Sequence, residues 1–323
     1  MKDYLPSNWP GDAMGGSDVM PDSGGGLHPM SSEGAIAETQ AMGVSPSMLS
    51  EVTGALKASV ANPVPTTKLD NISHWKHLLL YKVSPEIVAF LGARNMRVQY
   101  AHEESFSNDL NTDYYAVRIK RFPTMNGAVL TPAELIRHIR LEINSFVDTS
   151  SVSTGSTLFH PYEPMDATTW VSDNPLKTVL KIDINPDNAS VCVTSVTASG
   201  WTFSTVETPD TGSHPVSGTR TFFIVARDDV YYFVNKGLDM YSTGMAGGFP
   251  TGGAVAYWGG NVLWTGIQKN VAEFINSLGG DAKVEPRYSE RVEWQLVYRR
   301  YKSELERVFG QGAGSPGNSS FFD

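Results

Sequence analysis

The chain has 323 residues, 41% hydrophobic and 18% charged, with a formal net charge of −9. That length allows one large domain or two smaller ones once tails are set aside, and the acidic balance excludes a global basic footprint for nucleic acid. A single cysteine, Cys192, excludes a disulfide framework within the chain and any zinc cluster built on cysteines.

No apolar run approaches the 18 or so residues of a membrane-spanning helix, so no membrane span is expected. The first residues, MKDYLPSNWPGD, lack the apolar core of a Sec signal peptide. The chain is therefore expected either to stay in the cytoplasm or to be exported by a route that does not use such a signal.

Residues 1–68 read as a disordered tail. Glycine clusters at Gly15–Gly16 and Gly24–Gly26 and prolines from Pro6 to Pro65 leave too little apolar surface to offset chain entropy. One short helix is expected over 46–58, with Ser45 as cap, Pro46 at the first helical position, and Met48, Leu49, Val52 and Leu56 at helical spacing. Such a tail is a candidate docking or export element for a protein partner. A single α+β globular domain is expected over 69–309, followed by a flexible C-terminal tail over 310–323.

Within the body, 73–81 reads as helical, and Ser84-Pro85-Glu86 opens a second helix that Gly92 closes. His74 and His77 have metal-compatible spacing, but no third ligand accompanies them, so no metal is expected. Met96–Tyr100 reads as a strand, 102–111 as a polar loop and 113–121 as an alternating strand. Thr131-Pro132-Ala133-Glu134 is a capping box that starts a helix running to about Asp148. Residues 148–177 form a long connection of the kind that often carries function.

A meander follows, with strands over 179–184, 190–196, 201–206, 220–226 and 230–234 joined by turns. The glycine-rich stretch 242–261 has seven glycines and reads as a loop, with Asn261 capping a helix on which Leu263, Ile267, Val271, Phe274, Ile275 and Leu278 share a face. Its glycines match neither GxGxxG nor a Walker A loop, so no cofactor is expected. A final helix is expected over 289–309, with Val292, Leu296, Leu305 and Val308 inward.

The simplest packing is a curved antiparallel β-meander against amphipathic helices, including a long C-terminal one. That element order has the general shape of helix-grip, lipid-transfer-like two-layer bodies, although no motif is shared with them.

The candidate site residues come from the loops. His160, Tyr162, Trp170 and Asp173 lie in the 148–177 connection, and His214 and Ser217 in the turn block 208–218, with Arg220 just beyond it. His214 and Ser217 are three residues apart, which admits a nucleophile and base, but the stretch is also ordinary turn chemistry. Cys192 between two valines reads as a small core residue.

The leading functional expectation is a non-enzymatic binding or interaction protein, with a protein partner at the N-terminal tail and a small apolar ligand as the candidate partners. A cargo or effector of a bacterial or phage-type delivery system, with the tail as loading element, is one form of it. The alternatives are a hydrolase using His214 or His160 with a carboxylate, and a structural subunit of a larger assembly. No nucleic-acid partner is expected.

Overall fold

A computed structural model describes residues 68–103, 105–148, 158–183, 188–227, 229–242 and 254–315. The helix expected over 46–58, the first three residues of the turn expected over 185–188 and residues 243–253 of the glycine-rich stretch lie outside them.

The N-terminal block comprises α1 (Lys68–Asn71), a 3-10 turn (Ile72–Trp75) and α2 (Lys76–Leu79). Next comes α3 (Pro85–Gly92), where Ser84 Oγ accepts from the Ile87 amide and proline occupies the first turn. Strand β1 (Arg97–Val98) follows, then β2 (Ser105–Arg121) and a small hairpin, β3 (Thr124–Met125) with β4 (Ala128–Val129). The capping box forms as expected at Thr131 and starts α4 (Pro132–Leu141), with the short α5 (Ile143–Phe146) after a break at Glu142.

Next are β5 (Phe159–Pro161), α6 (Pro164–Val171), β6 (Val179–Ile182), β7 (Ala189–Thr197), β8 (Gly200–Glu207), β9 (Val216–Arg227) and β10 (Val230–Ser242). The last described elements are α7 (Ala254–Ser277), β11 (Asp281–Val284), β12 (Tyr288–Glu293) and α8 (Trp294–Phe309).

The sheet has ten strands in the order β11-β2-β10-β9-β8-β7-β6-β5, with β12 also on β2 and β1 on β8, and its pairings are antiparallel. Successive side chains alternate between its faces. On one face Val117, Ile119, Phe203, Phe222 and Phe233 pack against α4, α5, α6 and α7. On the other, Tyr114, Ala116, Val234, Leu238 and Met240 pack against the N-terminal block and α8. On that same second face α3 and β1 cover Val179, Cys192 and Val206. The protein is thus an α+β body with a large antiparallel sheet against amphipathic helices, a C-terminal one among them. Those helices divide between both faces of the sheet.

Several local expectations are corrected. The polar stretch 102–111 is largely strand: β2 starts at Ser105, because Asn111 and Asp113 find polar partners on the sheet. The connection 148–177 holds β5 and α6, whose start is a second capping box between Glu163 and Asp166 with Pro164 in the first turn. Helix α7 begins at Ala254, so Asn261 lies inside it and is not its cap. Residues 288–293 pair with β2, which turns the first part of the expected final helix into a strand. Helix α8 buries Val297, Tyr298, Tyr301 and Leu305, and Leu296, expected inward, is exposed.

The sheet edge at β11 is protected. Ala282 donates its amide to Asn276 Oδ1 (2.8 Å) and accepts from Asn276 Nδ2 (2.9 Å), which closes that stretch to another strand.

Candidate functional site

The strongest polar constellation lies where apolar packing would be expected, on the α7 face of the sheet. Cross-strand register lays it out in rows. One row runs Arg220, Gly237, Asp113 and Ser289 across β9, β10, β2 and β12. A second runs Trp201, Phe222, Asn235 and Tyr115 across β8, β9, β10 and β2. A third places Gly218, Asp239 and Asn111 side by side.

Arg220 is the centre. It donates from Nη1 to Asn235 Oδ1 (2.9 Å) and from Nη2 to Asp113 Oδ2 (2.8 Å), with Asp239 Oδ2 at 3.5 Å. Asn111 Nδ2 donates to Asp113 (2.9 Å) and Asp239 (3.2 Å), and Ser289 Oγ donates to Asp113 Oδ1 (2.8 Å). The Trp264 ring of α7 covers the guanidinium at 4.3 Å, a cation–π contact, and the Tyr115 hydroxyl donates to Asn261 of the same helix.

Arg220, Asp113, Asp239, Asn111 and Asn235 are all buried. Charges at such depth need partners, and here each finds one. Burial pushes the Asp239 carboxyl well above the usual carboxylate range. Asp113 adds to that rise, and Arg220 opposes it. Burial likewise raises the Tyr115 phenol.

Aromatic rings surround the island. Trp201 stacks on Phe222 at 4.7 Å with an 8° interplanar angle, Phe222 meets Trp264 edge-on at 5.8 Å, and Phe203 stacks with Trp170 at 6.0 Å. Two donors within this apolar wall lack hydrogen-bond partners among the described residues, Asn235 Nδ2 and Trp201 Nε1.

Of the residues singled out in the sequence, Arg220 belongs to this island and Trp170 to its aromatic surround. Trp170 is also covered by Arg140, whose guanidinium donates to the Trp170 carbonyl. Ser217 is buried three residues before Arg220, and strand alternation sends it to the opposite face.

His214 is buried in the turn before β9. Its amide donates to Gln99 Oε1 (2.7 Å), and its Nδ1 accepts from the Val216 amide (3.1 Å). Burial pushes its imidazole down to about 4, so it is neutral at neutral pH.

His160 pairs through Nε2 with Asp183 (3.0 Å) and lies beside Lys181, whose ammonium sits 4.8 Å from the Tyr162 ring and pairs with Asp210. Asp173 is exposed and meets Arg137 at 3.2 Å. His160 and Tyr162 thus share Lys181, while Asp173 meets Arg137, Trp170 lies under Arg140 and His214 is held by Gln99.

Sequence reasoning missed Asn111, Asp113, Asn235 and Trp264. A signal was present: 111, 113 and 115 on β2, and 235, 237 and 239 on β10, are polar or glycine at strand spacing. They continue the same faces as Val117, Ile119 and Phe233. Polar residues on the buried phase of a strand mark a site where local rules give way.

No protein-family model matches the chain, and no curated protein sequence matches it. Solved structures similar to it include Ara h 8.0201, at 9% identity and a TM-score of 0.31, over 51% of this chain and 99% of that one. The Aha1 dimer from Colwellia psychrerythraea matches at 9% identity and 0.27, over 52% and 95%. A conserved protein from Geobacillus kaustophilus matches at 14% identity and 0.28, over 53% and 98%. At such TM-scores the likeness carries no argument about what this chain does.

Proposed function

We propose that this is a binding protein that takes a small, mainly apolar ligand between α7 and the aromatic face of the sheet. The observation that supports this reading is the buried island around Arg220, set in an aromatic wall. Mostly apolar walls with a few fixed polar groups are the usual make-up of small-molecule sites. Entry requires α7 to lift. Its first half contains Gly259 and Gly260 in succession, and paired glycines weaken a helix and favour bending there. Trp264, only half-buried, is the ring that a ligand would displace from Arg220.

The test is a thermal-shift and fluorescence titration with 8-anilinonaphthalene-1-sulfonate, on the full chain and on Trp264→Ala. Saturable binding to the native protein that changes in affinity with Trp264→Ala is the expected result. Binding that appears only on unfolding would overturn the reading.

A second reading, hydrolysis, draws support from one observation: the His160–Asp183 contact supplies a half-exposed base with a carboxylate partner. It predicts turnover on an ester panel that His160→Ala abolishes.

A further inference from the structure

The two unpartnered donors of the aromatic wall say what chemistry the ligand brings, an inference that rests on the binding reading above. The Asn235 side chain is fully buried. Its Oδ1 is held by Arg220 Nη1, so the amide cannot flip, and Nδ2 is fixed facing away from that bond without a partner among the described residues. Trp201 Nε1, on the same cross-strand row, can only donate, and it too is buried without a partner.

A buried donor left unpaired is destabilising enough that native proteins rarely keep one, and two of the unpartnered atoms among the described residues lie on one cross-strand row, on either side of Phe222. Both ask for the same thing, an acceptor.

We infer that the ligand is an apolar molecule carrying a hydrogen-bond-accepting oxygen, a carbonyl or carboxylate, which takes the proton of Asn235 Nδ2, with Trp201 Nε1 as the second donor on its row. Arg220 serves as a positioning residue. By holding Oδ1 it fixes which end of the Asn235 amide faces the ligand. Asp113 and Gly237 in turn hold Arg220, the aspartate by accepting from Nη2 and the glycine by leaving room for the guanidinium. Donor-fixed sites reject ligands that lack the matching acceptor more sharply than apolar pockets reject a change of shape.

Three naphthalenes of similar size test this by calorimetric titration of the full chain: 2-acetylnaphthalene, 2-naphthoate and 2-ethylnaphthalene. The expected result is that one or both oxygen-bearing probes bind about tenfold or more tightly than 2-ethylnaphthalene. The preferred one tells carbonyl from carboxylate.

Asn235→Asp keeps an oxygen towards Arg220 and replaces the donor by an acceptor. It should remove the preference for the oxygen-bearing probe over 2-ethylnaphthalene. Trp201→Phe keeps the stacked ring and removes only the indole N–H. It should weaken the oxygen-bearing probe several-fold, and it carries the test if Asn235→Asp does not fold. Equal binding of all three probes, or a preference that survives both substitutions, overturns the inference and leaves the binding reading standing. Failure of all three to bind overturns both.

Discussion

The guanidinium of Arg220 lies against Gly237, and that neighbour has to be a glycine. A Cβ built there would overlap the guanidinium. Gly237→Ala should therefore displace Arg220 from Asp113 and Asn235 and leave buried polar groups unpaired. A loss of about 2–4 kcal/mol in urea unfolding is expected, and an unchanged midpoint would mean the island is looser than its distances imply.

Lys236, on the opposite face of the same strand, carries a different lesson. It is fully buried, donates to the His74 carbonyl at 2.7 Å and lies 4.9 Å from the Trp75 ring. Burial pushes its ammonium down from 10.5 to about 7. Between those values the unfolded chain holds a proton that the folded chain has released, so stability rises with pH across that window. Below about 7 both states are protonated and this dependence vanishes. The difference in unfolding free energy between the native chain and Lys236→Met should carry this slope. A difference independent of pH would contradict the buried ammonium.

At the scale of elements, legibility followed local chemistry. The helices with a cap written in the sequence, at Ser84-Pro85 and Thr131-Pro132, form where expected. Replacing Thr131 by alanine should cost about 1 kcal/mol, read by chemical denaturation. Helix α6 escaped notice because its cap is a glutamate, Glu163, and because its anchor is distant in sequence. Asp166 accepts from the Glu163 and Val179 amides and pairs with Arg94 at 2.6 Å. Asp166→Ala leaves Arg94 without its buried partner. It should destabilise by about 3 kcal/mol or more, well beyond the Thr131 change. Strand β12 was hidden for a similar reason. Its residues Tyr288–Glu293 have no strong alternation of their own, and pairing with β2 makes them a strand. The polar start of β2 was hidden because its partners, Arg220 and Asp239, come from strands more than a hundred residues away.

Across the whole molecule, the meander and its aromatic core were readable from alternation, whereas the division of helices between the two faces was not. Helix α7 and α8 are both amphipathic, and nothing local says which face of the sheet each covers. Long-range register decides it, through the phase that puts Phe222 and Phe233 in the cluster with α7 and Val234 and Leu238 in the cluster with the N-terminal block and α8. The candidate site shares this origin: each of its residues is ordinary in its own strand, and the island exists only once four strands are in register.

The central claim is that a ligand enters between α7 and the aromatic face. It is tested most directly by fluorine NMR of the full chain with its seven tryptophans replaced by 5-fluorotryptophan, titrated with 2-acetylnaphthalene. Trp201→Phe and Trp264→Phe assign the two relevant signals. The account predicts that these two shift together and saturably while Trp75 and Trp294, on the other face, stay in place. Shifts confined to Trp75 and Trp294, or no shift at any signal, would contradict it.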